Sequence, residues 1–166
     1  MMVWHRANME INVLIEEGLE APLELSWLPS VAEQVLIAQG AGANAELSLV
    51  ITGQERIQQL NQDYLGRNEP TDVLAFAMLP ELSPEGADFP PFVTPPDGVL
   101  HLGEVIISYP QAVLQAEEHH HSVKKEVVIL IIHGILHLLG FDHEEPEEEG
   151  RMRAREAEIL SLVKAD

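Results

Sequence analysis

The sequence predicts one compact domain that mixes strands and helices, and three observations carry that expectation. Apolar residues alternate in some stretches and recur at three- and four-residue spacing in others, so both kinds of element are present. A chain of 166 residues with 46% hydrophobic content can bury one sizeable core. The single marked shift in composition, the stretch 80–97 with its six prolines, reads as a mobile surface loop inside one 1–166 domain.

The elements follow in order. The opening Met1-Met2-Val3-Trp4-His5-Arg6 lacks the apolar run and small-residue cleavage site of a signal peptide. Glu10 to Ile15 is a candidate strand with partial alternation. Leu28-Pro29-Ser30 opens a helix with proline in its first turn; Val31, Val35, Leu36 and Ala38 share a face, and Gly40 stops it. Ala45 to Ile51 alternates cleanly, with Leu47, Leu49 and Ile51 facing one way. Thr52-Gly53-Gln54-Glu55 has the form of a capping box, ahead of a helix whose buried stripe is Ile57, Leu60 and Tyr64. Val73 to Met78 is apolar on both faces, as a central strand would be.

Val99 to Ser108 is a further strand, and Ser108 with Gln111 begins a helix that tolerates Pro110 in its first turn. His119-His120-His121 reads as the polar end of that helix, with Ser122 capping the next one. Adjacent helical residues point about 100° apart, so at most two of the three histidines can share an ion, and no metal role is expected of them. The acidic run 144–149 feeds a last helix at its favourable end, and Met152, Ile159, Leu160 and Val163 form that helix's apolar stripe. Arg151, Arg153 and Arg155 either pair with the acids nearby or form a basic patch.

The stretch that carries chemistry is His133 to His143, His-Gly-Ile-Leu-His-Leu-Leu-Gly-Phe-Asp-His, set in apolar surroundings. His133 and His137 are four apart, which stacks them on one helix face about one turn apart. Gly140 tolerates a left-handed conformation at a helix end, and the reversal it permits can carry His143 to the same ion. Three imidazoles with a fourth position open to water make a catalytic zinc arrangement. Cysteine is absent, so a thiolate site is excluded. Imidazole also suits nickel, copper and iron, so the spacing is more specific than the metal.

Charge narrows the function classes. A net charge of −19 with nine Lys and Arg residues excludes a free-standing, high-affinity RNA binder and leaves room for a site that meets RNA held by another particle. The longest apolar run, from Val127 to Leu139, is about 13 residues, too short to span a bilayer. No membrane association is expected, and the protein reads as cytoplasmic, with which the absence of cysteine agrees.

His133, His137, Gly140 and His143 match the offsets of the metzincin peptidase signature HExxHxxGxxH, but position 134 is Gly where that family has its general-base glutamate. The full string instead resembles the YbeY family of metal-dependent endoribonucleases, the ribosomal RNA maturation factors, with signature HGxLHLxGYDH; Phe141 stands for the usual Tyr. Leu60-Asn61, Tyr64 and then Pro70 to Phe76 resemble a second block of that family, and Leu102 to Ser108 a third. Leu65 occupies the position of a family arginine thought to hold the RNA phosphate, and Arg67 is the candidate substitute.

The resemblance covers about residues 60–159 outside the proline-rich loop. It implies an α+β fold similar to the zincin-like (metalloprotease-like) proteins, a small mixed sheet with the metal helix packed across it. It implies one Zn2+ held by His133, His137 and His143, and His121 lining the cleft. It further implies a single-strand-specific endoribonuclease acting in 16S rRNA 3′ end maturation and ribosome quality control. Its partners would be ribosomal RNA and the small ribosomal subunit, with no nucleotide cofactor. Candidate catalytic residues are Asp142, beside a ligand, Glu104 and Arg67, with Asp72 a further acid near the site. A metal-dependent hydrolase of another substrate, such as a peptide, and a non-catalytic ribosome-associated factor with a structural metal are the alternatives.

Overall fold

Five strands form one mixed sheet in the computed structural model, which describes residues 2–6, 9–16, 19, 26–40, 44–69, 71–77, 100–141 and 145–163. The strands are β1 (Met2–Arg6), β2 (Met9–Ile15), β3 (Ala45–Thr52), β4 (Val73–Ala77) and β5 (Leu100–Ser108). The helices are α1 (Leu28–Ala38), α2 (Gln54–Leu65), α3 (Tyr109–Glu118), α4 (Val123–Leu138) and α5 (Pro146–Leu162). The sheet order is β1-β2-β3-β5-β4. The β2–β3 and β3–β5 pairs are parallel, whereas β1–β2 and β4–β5 are antiparallel.

Alternation sorts the residues between the two faces. Ile11 and Val13, Leu47, Leu49 and Ile51, and Val105 and Ile107 all point to one face and are buried there with residues of α1, α3, α4 and α5. The other face carries a smaller cluster of Ile57, Leu74 and Ile106, with Val50, Leu60 and Phe76 packed against it, and α2 covers it. Helix α4 is the element on which the others meet, packing against α1, α3, α5, β4 and β5. That central position explains why Val127 to Ile132 carry so little polarity. Among the described residues no helix is long and apolar enough to cross a membrane.

Several expectations change. Strand β4 is an edge strand, not a central one. Its two apolar faces have another cause: Val73 and Ala75 pack on the large core, Leu74 and Phe76 on the small one, so helices cover both sides of the sheet's edge. Strand β1 was not foreseen. The capping box at Thr52 does not form. Helix α2 has Gly53 as its N-cap without a side-chain cap, and the Thr52 hydroxyl and the Gly53 N–H both donate to Glu16 (3.0 and 2.8 Å). Tyr64 is 69% exposed, so only Ile57 and part of Leu60 form the stripe of α2.

The serine caps are as expected. Ser108 accepts from Gln111 N–H and Ser122 from Lys125 N–H. The arginines of α5 pair with neighbouring acids: Arg151 with Glu147, Arg153 with Glu149 and Arg155 with Glu158. Arg155 also donates to the Ala38 carbonyl (2.6 Å) and to Gln39, tying α5 to the C-terminal end of α1. The proline-rich stretch 80–97 lies outside the described residues.

Candidate metal cleft

A cleft of about 410 Å3 opens beside β4, between the loop that leaves α2 and one face of α4. The loop is aimed by the end of α2. Gly66 takes φ 71°, which L side chains rarely adopt, and the next N–H, of Arg67, returns to the Asn61 carbonyl (3.3 Å). The buried Asn61 side chain then holds the Glu69 carbonyl at 2.9 Å. Ser108 N–H fixes the Asp72 carbonyl at 2.9 Å. With the chain so pinned, Leu65, Arg67, Glu69, Thr71 and Asp72 line one wall.

His133, Gly134 and His137 of α4 form the other wall. The i, i+4 spacing stacks the two imidazoles as their sequence positions predict, with ring centroids 4.6 Å apart and Nε2 atoms 3.1 Å apart. Two nitrogens at 2.0–2.1 Å from one ion in tetrahedral geometry would stand about 3.3 Å apart, so these two fit one metal. His133 Nδ1 meets Glu156 Oε1 of α5 at 2.8 Å. A carboxylate on the far nitrogen fixes the ring and its tautomer, leaving Nε2 as the ligand atom. Sequence reasoning missed Glu156: that a metal-binding imidazole needs a second-nitrogen partner signals an acid, but not which one.

Helix α4 closes as its sequence suggested. Leu139 is the C-cap, Gly140 has φ 98°, and Phe141 N–H returns to the Leu136 carbonyl (3.0 Å). Asp142 and His143 follow at once and lie outside the described residues. The other candidates are placed. Arg67 and Asp72 share the cleft with His133 and His137. Glu104 does not line it. Glu104 pairs with Phe76 across β4–β5, on the α2 side of the sheet, whereas Val105 faces α4.

Gly134 has a structural reason. A Cβ there would stand 2.5 Å from Val105 Cγ1, so the helix rests directly on β5 at this position. Any side chain at 134, the metzincin glutamate included, would force Val105 or α4 to shift.

A second group lies farther along α4. Glu126, 2% exposed, accepts from His119 Nδ1 (3.0 Å), His121 Nε2 (2.7 Å) and Gln115 Nε2 (3.1 Å). Burial raises the Glu126 pKa, but the hydrogen bonds from His119, His121 and Gln115 outweigh it and hold the carboxyl below its ordinary value. His119, His121 and Glu126 form a group that can hold a metal ion, their ligand atoms lying within 4.8 Å of one another. Two of the three consecutive histidines therefore converge on one carboxylate, although no metal role was expected of them.

The model of the family described as Endoribonuclease YbeY matches residues 17–164. The chain belongs to the YbeY family. A protein of Dehalococcoides mccartyi named Endoribonuclease YbeY is 50% identical over 153 residues, covering 90% of this chain and 87% of that one. Another of that name, from Chloroflexus aurantiacus, is 40% identical over 154 residues, covering 92% and 94%. The solution structure of TM1509 from Thermotoga maritima matches with a TM-score of 0.58 at 26% identity, over 91% of this chain and 87% of that one. Of the string HGxLHLxGYDH, the described residues hold His133, Gly134, Leu136, His137, Leu138 and Gly140, with Phe141 at the position of the Tyr.

Proposed function

We propose that this protein is a cytoplasmic, zinc-dependent endoribonuclease that cuts single-stranded RNA in 16S rRNA 3′ end maturation and ribosome quality control. The observation that carries the reading is the pair of imidazoles 3.1 Å apart on the wall of a cleft whose opposite wall holds Arg67 and Asp72, in a YbeY-family chain. His133, His137 and His143 would hold the ion. When bound, it supplies Lewis-acid activation of water and neutralisation of phosphoryl charge.

The chain's own residues do the remaining work. The Arg67 guanidinium, in the loop between α2 and β4 that is pinned at both ends, binds a phosphate of the strand in the cleft. In this reading Arg67 takes the role of the family arginine whose position Leu65 occupies. The Asp72 carboxylate is oriented by the Thr71 hydroxyl (3.4 Å) and Gln115 Nε2 (3.3 Å), and serves as the proton acceptor for the attacking water. Glu104, on the opposite face of the sheet, has no part in this scheme.

One observation favours a second reading, a ribosome-associated factor without catalysis: Leu65, 54% exposed, gives the cleft rim an apolar group where a phosphate contact would be of use. The peptidase reading loses ground, because the contact between Gly134 and Val105 takes the place of a general base.

Cleavage of a labelled single-stranded RNA by wild type and by His137→Ala, with metal content measured on both, tests the proposal. Cutting by wild type alone, with duplex RNA spared, is expected. Equal cutting by both would identify a contaminant, and a metal-loaded wild type that cuts nothing would leave the non-catalytic reading.

A further inference from the structure

The geometry points to a second divalent transition-metal site at His119, His121 and Glu126, separate from the cleft and independent of the RNA-cutting reading. The turn between α3 and α4 builds it. His119 ends α3, His120 takes φ 57°, and His121 N–H returns to the Ala116 carbonyl at 3.1 Å. This closure folds the chain back so that the residues flanking His120 present their rings to the same side, with centroids 5.5 Å apart. Glu126 arrives from the first turn of α4, which Ser122 caps.

Both imidazole nitrogens approach the same carboxylate oxygen, Oε1, while Oε2 is taken by Gln115. Two imidazoles and one carboxylate form the donor set of zinc sites that keep an open position for water. Mixed nitrogen and oxygen donors favour zinc, cobalt, nickel or copper over the all-oxygen preference of magnesium and calcium. The group has an inner and an outer side. The Glu126 side chain is 3% exposed and supplies an anionic oxygen from within; the His119 side chain is 56% exposed, so an ion has a way in and water can complete its shell.

The site is too far from the cleft to form a binuclear centre with it. Glu126 and His133 share a face of α4 seven residues apart, about 10 Å of helical rise, against the roughly 3.5–4 Å of two-metal catalysis. A single side chain joins the two sites. Gln115 Nε2 donates to Glu126 Oε2 at 3.1 Å and to Asp72 Oδ2 at 3.3 Å. Its Oε1 accepts from Gln111, so the amide has only one satisfactory orientation. An ion on Glu126 thereby steadies the carboxylate that faces the cleft.

Metal-free protein titrated with Co2+, followed by visible absorption and calorimetry, tests the site without any activity assay. The parent for the titration is His133→Ala/His137→Ala, which empties the cleft. It is expected to retain one Co2+ equivalent, and adding His119→Ala or Glu126→Gln is expected to weaken that binding at least tenfold. His119 is mostly exposed, so its truncation leaves the fold intact even if the buried Glu126→Gln does not. A parent that binds no Co2+, or one whose binding His119→Ala leaves unchanged, overturns the proposal. A wild type that takes up one ion, lost with His119→Ala but kept in the parent, upholds this site and removes the cleft's metal instead.

Discussion

His133 reaches Glu156 across the interface of α4 and α5, and that contact decides which of its nitrogens faces the cleft. With Nδ1 committed to a carboxylate, Nε2 of His133 is turned toward Nε2 of His137, 3.1 Å away. Glu156→Ala is therefore expected to weaken metal binding in the cleft about 10–100-fold, measured by competition with a chelator. Unchanged affinity would reduce the pair to a packing contact. The two cleft histidines were legible because their relation is local, a four-residue step on one helix. Glu156 was not, because α5 is crowded with glutamates and nothing in their spacing separates this one from Glu147, Glu148 or Glu149. The same limit hid Glu126: its partners are grouped by a turn through His120, and no helical periodicity describes that turn.

At the level of elements, the approach of α4 to β5 depends on Gly134. Alanine there gains up to about 1 kcal/mol of helix propensity, but its Cβ would stand 2.5 Å from a methyl of Val105, a stiff β-branched side chain on a strand. Gly134→Ala is expected to destabilise the fold by about 1–3 kcal/mol, read from the urea midpoint, and a more stable variant would show that the helix has room to move. Tyr109, first residue of α3, gives an alkaline counterpart. Burial pushes its phenol above the ordinary value of 10.0, so the folded form keeps the proton to higher pH than the unfolded chain does. Its contribution is intact below about pH 10 and falls away as pH rises through the raised folded value. Tyr109→Phe should flatten that alkaline loss; if the wild-type and variant stability curves stay parallel above pH 10, the phenol is not its source. The caps at Ser108 and Ser122 could be read from sequence because each bond spans three residues. Thr52 misled for the opposite reason: its hydroxyl is claimed by Glu16, 36 residues away, before the helix can use it.

Over the whole molecule, strand order was the least legible feature. Val73 to Ala77 looks central because both its faces are apolar, and sequence pattern reports how each face is covered, not how many neighbours a strand has. Charge is the feature that sequence reported best, and the structure sharpens its consequence. Of nine cations in a chain of net charge −19, Arg151, Arg153 and Arg155 pair with acids on their own helix, and Lys124 lies over the Trp27 ring. Among the described residues lining the cleft, Arg67 is the one Lys or Arg. A single phosphate contact on a single strand releases few counterions, so the logarithm of RNA affinity should fall with the logarithm of salt with a slope near −0.7. Binding of an uncleaved single-stranded RNA, measured across a salt series on wild type and Arg67→Ala, checks this. The variant should bind more weakly with a slope near zero. A wild-type slope of about −3 or steeper would require four or more phosphate contacts, which the described cleft cannot supply. A slope near −0.7 would match one phosphate contact and trace it to Arg67, the one Lys or Arg of the described cleft.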